Sequence, residues 1–264
     1  MSLEIFDFHT HPFDKEANNI CSHIPYCDMT VESTRELYRK LNIDHICGAV
    51  IMRGGDFRPK DATQWDICKM NNDTAMKLWD VYGDFYIPGF HVHPDYVRES
   101  CEEIERMAKR GVKLIGELVP YFDGWVNYNT PEIDEILDVA KMYGMILNVH
   151  PSGNDDMDAF VSRHKDIVIV GAHPGEYGDY ERNLERMKLS DNYYLDVSGY
   201  GIFRHGTLRH GIDLFGAERF LFGSDYPTCN PAMYLGGVKD DPLLRDDEIE
   251  KMLSLNAKRL LGRD

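Results

Sequence analysis

Phe6-Asp7-Phe8-His9-Thr10-His11-Pro12 ends the first apolar run of the chain. In a strand successive side chains point to opposite faces, so His9 and His11 share a face and can close on one cation. A pair of imidazoles needs further ligands. Polar residues placed in the same way, closing an apolar run ahead of turn chemistry, recur at Glu117 in Leu114-Ile115-Gly116-Glu117-Leu118 and at His150 in Leu147-Asn148-Val149-His150-Pro151. His173 in Val170-Gly171-Ala172-His173-Pro174 and Asp225 in Phe222-Gly223-Ser224-Asp225-Tyr226-Pro227 complete the series. The repetition predicts a metal site built from strand ends at the mouth of a barrel.

Outward from that stretch the chain alternates between two periods. Short apolar runs at 3–9, 46–52, 85–92, 112–118, 145–149, 167–171, 193–197 and 220–223 read as strands. Between them lie helical patterns. Thr30 caps one with Val31, Leu37, Tyr38 and Leu41 inward, a second runs from Ala62 to Tyr82, and Val97, Cys101, Ile104 and Ala108 mark a third. Thr130-Pro131 opens the clearest, with Ile133, Ile136, Leu137 and Ala140 on one face. Others cover 156–164, 180–189, the segment of Leu208, Ile212 and Phe215, and 246–261. Eight alternations of continuous apolar strand and helix predict an α/β fold, a (β/α)8 TIM barrel forming a single domain over residues 1–264. The alternative, an open doubly wound sheet, lacks a G-x-G-x-x-G after strand one.

The 264 residues are 43% hydrophobic and 28% charged, as in an ordinary globular protein, and carry a net charge of -16. That acidity argues against nucleic acid, whose binding needs a basic footprint. No run reaches the length of a membrane span, and the N-terminus lacks a basic and hydrophobic signal pattern, so a cytoplasmic protein acting on a small molecule is expected. Nothing in the pattern specifies an oligomeric state. The six cysteines form no C-x-x-C pair and read as free thiols. Cys21, His23 and Cys27 lack the paired knuckles of a structural zinc clip.

The H-x-H of strand one, the strand-end residues, Gly223-Ser224-Asp225-Tyr226-Pro227 and the terminal Asn256-Ala257-Lys258-Arg259-Leu260-Leu261-Gly262 together resemble the amidohydrolase superfamily of metal-dependent hydrolases. The likeness is greatest to the amidohydrolase-2 branch that contains aminocarboxymuconate-semialdehyde decarboxylase. The resemblance implies that His9, His11 and Asp225 bind metal, that His150 is a ligand, and that His173 is a ligand or a catalytic group beside it. Many superfamily members bridge two metals with a carboxylated lysine after strand four, where this chain has Glu117. Gly116-Glu117 also resembles the metal-dependent DNase branch, in which a glutamate bridges a pair of ions. Glu117 is therefore either a bridge or, if it does not bridge, a base behind the ligands or a buried ion-pair partner.

The expected cofactor is one or two divalent ions, zinc first and manganese or another divalent metal as alternatives. Such an ion lowers the pKa of bound water and polarises a carbonyl. Asp225 would hold that water, take its proton and pass it to the leaving group. The expected reaction is hydrolysis of a carboxylic ester, lactone or amide of a small molecule, an anionic one included. Non-oxidative decarboxylation of a small acid is the alternative, and a non-catalytic metal- or ligand-binding barrel is a third reading. For substrate contacts the sequence offers Arg53 at the end of strand two, Tyr121, Trp125 and Tyr128 in an aromatic loop, and His93 in His91-Val92-His93, each with a packing or hydrogen-bonding role as its alternative. Arg204 and Ser198 are weaker candidates.

Overall fold

Strands β1 (Phe6–Asp7), β2 (His45–Ala49), β3 (Tyr86–Phe90), β4 (Leu114–Leu118), β5 (Ile146–Val149), β6 (Val168–Gly171), β7 (Tyr193–Asp196) and β8 (Phe220–Leu221) pair in chain order, all parallel. The helices are α1 (Val31–Leu41), α2 (Gln64–Tyr82), α3 (Val97–Lys109), α4 (Pro120–Asp123), α5 (Pro131–Met142) and α6 (Asn154–Arg163), then α7 (Gly178–Leu189), α8 (Thr207–Phe215), α9 (Pro231–Lys239), α10 (Asp246–Glu250) and α11 (Asn256–Leu261). This computed structural model describes residues 3–15, 18–21, 29–52, 59–202 and 204–263. Past β8 the chain returns to β1. Phe8 N donates to Phe222 O at 2.8 Å, Asp225 N to His9 O at 2.8 Å and His11 N to Tyr226 O at 2.7 Å, which ties the last strand to the first. The fold is the (β/α)8 barrel.

Side chains sort into two shells. Phe6, Phe8, Cys47, Ile87, Leu114, Ile146, Val170 and Leu221 form an inner cluster, joined by Ala257 and Leu261 of the last helix. Their strand neighbours Ile46, Tyr86, Ile115, Leu147, Ile169 and Phe220 face the helices, where they meet residues such as Tyr38, Ile104, Ile136 and Phe160. This is the alternation a helix-covered parallel barrel requires.

Local chemistry sets the helix ends. Thr30 accepts from Ser33 N at 3.0 Å while Ser33 Oγ accepts from Thr30 N at 2.8 Å, a capping box for α1. Thr63 does the same with Asp66, so α2 starts at Gln64, after its cap, and not at Ala62. The expected strand over 3–9 is laddered only at Phe6–Asp7, with an isolated bridge from Thr10 to Tyr226 beyond it. The last helix is continuous in direction but passes through a π turn at Lys251–Leu255. There Asn256 N bonds Lys251 O, which releases Met252 O to accept from Phe222 N at 3.0 Å. The π turn thus satisfies a backbone donor at the end of β8. Among the described residues no helix is long and apolar enough to cross a membrane.

Candidate metal centre

The imidazoles of His9 and His11 are held from behind. His9 Nδ1 lies 2.9 Å from Asp196 Oδ2 and His11 Nδ1 lies 3.1 Å from Ala49 O. Both partners are acceptors, so each Nδ1 carries the proton and each Nε2 presents a lone pair. Those two Nε2 atoms are 3.4 Å apart, and Glu117 Oε2 is 3.3 Å from each. Asp225 Oδ1 is 3.3 Å from His11 Nε2 and 3.8 Å from His9 Nε2. Four electron-pair donors facing one point repel one another unless a cation lies among them. Their spacing fits one, since ligands at zinc distances span tetrahedron edges of ~3.4 Å.

Glu117 turns its other oxygen to a second group. Oε1 is 2.9 Å from His150 Nδ1 and 3.4 Å from His173 Nε2. His173 Nδ1 lies 3.3 Å from Ser198 O and 3.1 Å from Ser198 Oγ, which again leaves Nε2 as the donor atom. Two sets of residues could therefore hold an ion, His9, His11 and Glu117, and Glu117, His150 and His173, with Glu117 common to both.

Simple alternation would not aim all these groups inward. Asp7 faces outward, where its Oδ2 accepts from Tyr38 at 2.9 Å, and His9 and His11 share its parity. The regular ladder stops at Asp7, and both imidazoles turn to the axis. The β4–β5 register shifts between Ile115 and Leu118, which brings Glu117 in although Gly116 shares the inner parity of Leu114. His173 follows inward-facing Ala172 and reaches the site with φ 62°, and Asp225 has φ 61°. Positive φ is uncommon for residues with a Cβ and clusters at functional sites. Gly199 leaves room for the His173 ring, because a Cβ there would lie 2.6 Å from Cε1.

Burial disfavours charge on all these groups, yet mutual attraction overrides it. The Glu117 carboxyl is raised by burial but held well below its usual value by the charge of His9 and by hydrogen bonds with His11, His150 and His173. Burial lowers His9, while Asp196 and Glu117 lift it well above its usual value. His11, opposed by burial, is raised to about 9 by Asp225 and Glu117. His173 is likewise lowered by burial and raised on balance by Glu117. The cluster demands positive charge, as protons or as a metal ion.

A cavity of about 440 Å³ opens on His11, Glu117, His150, His173 and Asp225, walled further by Tyr121, Phe122, Tyr200, Thr228 and Cys229. Tyr121 is 68% exposed and stands edge-on to His150 with ring centroids 5.4 Å apart. Trp125 is different, being 7% exposed and packed edge-on against buried Tyr128, outside the cavity lining. Tyr128 donates to Leu118 O and His150 O at 2.8 and 3.0 Å, bracing the loop. His93 is also a structural residue. Its Nε2 bonds Asp123 O at 2.9 Å and its Nδ1 accepts from Asp95 N at 3.1 Å. His91 bonds Val50 O at 2.8 Å, and Arg204 pairs with Glu176 at 2.7 Å. Arg53, His23 and Cys27 lie outside the described residues. Sequence reasoning overlooked Asp196, a fully buried carboxylate that ends β7 as the ligands end their strands, and Asn148, whose Nδ2 donates to it at 3.0 Å.

Fold and site define a barrel protein with a cluster of side chains able to hold a metal ion at the C-terminal ends of its strands. The sequence matches the model of the family described as Amidohydrolase over residues 6–263, and the chain belongs to that family, whose members are divalent-metal-dependent enzymes. No curated protein matches it significantly. Among solved structures it is similar to 2,6-dihydroxybenzoate decarboxylase from Rhizobium, at 14% identity and TM-score 0.72 over 99% of both chains. A dihydroxybenzoic acid decarboxylase from Polaromonas with bound manganese and 2-nitroresorcinol is 13% identical, TM-score 0.68, over 99% of this chain and 97% of that one. A probable 2-pyrone-4,6-dicarboxylic acid hydrolase from Acinetobacter baumannii is 15% identical, TM-score 0.64, over 98% and 99%. At these identities the likeness shows the fold.

Proposed function

We propose that the chain is a two-cation hydrolase that cleaves a carboxylic ester, lactone or amide bond of a small molecule. The observation that carries this reading is the divided carboxylate of Glu117, with Oε2 facing His9 and His11 and Oε1 facing His150 and His173. His9, His11 and Asp225 would hold one ion, His150 and His173 the other, and Glu117 both. Imidazole-rich ligation suits zinc, and the carboxylates also accept manganese. When bound, such ions make water acidic near neutral pH and polarise the carbonyl to be attacked.

The chain's own residues complete the reaction. Asp225 is 7% exposed and lines the cavity, so its carboxylate can take the proton of the attacking water and return it to the leaving oxygen or nitrogen. Tyr121, Phe122 and Tyr200 offer faces and edges to a flat body, while the buried floor keeps bulk water from the acyl carbon.

Decarboxylation is the second reading, favoured by the aromatic rim and by the decarboxylases of similar architecture. There His173 would deliver a proton to the carbon that loses carbon dioxide. A panel of carboxylic esters, lactones, amides and aromatic acids, incubated with metal-loaded protein in ¹⁸O-water, separates the two. Hydrolysis puts one solvent oxygen into the organic product and releases no carbon dioxide. Carbon dioxide release with no label in the organic product establishes decarboxylation instead.

A further inference from the structure

The first and second ligand groups meet in one buried carboxylate, Asp196. Its Oδ2 accepts from His9 Nδ1 at 2.9 Å and from Asn148 Nδ2 at 3.0 Å. Its Oδ1 accepts from Ser198 N at 3.1 Å, from Ser198 Oγ, and from His173 N at 3.5 Å. Every neighbour is a donor. Because the Ser198 hydroxyl gives its proton to Asp196, its oxygen can accept from His173 Nδ1 at 3.1 Å and, beside the shorter His9–Asp196 bond, from His9 Nδ1 at 3.1 Å. A directed chain results, from His173 Nδ1–H through Ser198 Oγ–H to Asp196, which His9 Nδ1–H enters from the other side.

From this chain we infer that Asp196, relayed by Ser198, is the positioning residue that sets the tautomers of His9 and His173 together and so couples the two cation positions. The inference rests on the two-cation reading above. Tautomer choice decides whether a histidine is a ligand at all, since an Nε2 that carries a proton has no lone pair to give. Gly223 confirms how closely the hub is fitted, because a Cβ there would lie 2.8 Å from His9 Cβ and 3.2 Å from Ser198 Cβ.

Asp196→Asn tests the coupling with an isostere. If the new NH2 group faces His9, it needs an acceptor there, and His9 must move its proton to Nε2 and leave the first position. If the NH2 group faces Ser198, the hydroxyl turns its proton to His173 Nδ1, which pushes the His173 proton to Nε2 and empties the second. Either rotamer loses one position and keeps the other. Ser198→Ala removes the hydroxyl from both rings, but His9 keeps Asp196 Oδ2 at 2.9 Å whereas His173 is left with the longer 3.3 Å contact to Ser198 O. It therefore weakens the His150 and His173 position more than the His9 and His11 position.

The experiment is titration of the full chain with zinc, with stoichiometry and stepwise affinities, and ¹⁵N histidine shifts of the zinc-loaded protein as the tautomer readout. The parent binds two equivalents with Nδ1–H on His9 and His173. Asp196→Asn keeps one equivalent and weakens the other by about 10- to 100-fold, the range for residues behind metal ligands. Ser198→Ala, which also serves if Asp196→Asn fails to fold, weakens one equivalent more than the other. Parental affinities at both positions in a folded Asp196→Asn or in Ser198→Ala, or equal loss at both, overturns the inference. A parent that binds a single zinc overturns the two-cation reading itself, and its His9 tautomer then still reports on Asp196.

Discussion

Gly199→Ala tests whether the backbone next to the site holds a ligand in place. Gly199 has φ 64°, a left-handed conformation that costs a residue with a Cβ about 1–2 kcal/mol. The new Cβ would stand 2.6 Å from His173 Cε1 and 3.1 Å from Cγ. Carbon atoms in contact sit roughly 3.5–4.0 Å apart, so the ring must recede by about 1 Å. The His173 Nε2 atom is 3.4 Å from Glu117 Oε1, and a displacement of that size spoils its place in the shared ligand group. The His9 ring neighbours that of His173, with centroids 5.1 Å apart, but His9 is anchored to Asp196 at 2.9 Å and His11 to Ala49 O at 3.1 Å, so this pair is expected to keep its geometry. The variant is expected to melt ~2–8 °C below the parent, the equivalent of that backbone cost in a domain of this size. It should retain one strong zinc position and lose the other, and turnover should fall on the order of 100-fold, as for a 1 Å misplacement. Calorimetric zinc titration and thermal unfolding of both proteins are the assays. Two zinc equivalents bound at parental affinity by the variant would refute the reasoning.

Three further outcomes follow from the same geometry. Burial lifts the Asp7 carboxyl from 3.8 to about 6, with Ser224 and Tyr38 offsetting part of the rise. The folded value lies above the unfolded one, so this contribution is intact below about pH 4 and lost as pH rises through about 6, ~3 kcal/mol in full. Asp7→Asn keeps an acceptor for Ser224 N and gains a donor for Tyr38, and it should melt above the parent at about pH 8 but not at about pH 4. An unchanged difference across that range contradicts the burial argument. Asp225→Asn, assayed with its zinc content verified, should lose nearly all turnover, and full turnover with metal bound would remove Asp225 from the proton path. Chelation should lower the melting temperature, and free zinc at a hundredfold over Kd should restore ~2.7 kcal/mol per position. A melting curve indifferent to chelator would mean that the cluster is balanced by protons alone.

The barrel was legible because every strand is a short apolar run and every helix but two carries a periodic face with caps such as Thr30, Thr63 and Thr130. α9 escaped notice because Gly236-Gly237 depresses helix propensity, although Asn230-Pro231 is a start signal. α4 is a single turn inside an aromatic loop. The six strand-end residues do converge, but alternation alone does not explain how. Glu117 needs a register shift, and His173 needs positive φ, neither of which has a side-chain signature. Composition could not tell Tyr121, at the cavity, from Trp125, buried beneath the same loop. Asp196 was hidden for a related reason. An aspartate at a strand end before Val-Ser-Gly reads as turn chemistry until the donors around it are seen.

The central claim is that Glu117 shares its carboxylate between two ions. The most direct measurement is an anomalous difference map from crystals grown with zinc, recorded at the zinc edge. Two peaks roughly 3.5–4 Å apart, one among His9, His11 and Asp225 and one beside His150 and His173, with an oxygen of Glu117 on each, are predicted. A single peak with Glu117 bound on one side only, or no peak among these residues, would contradict the account.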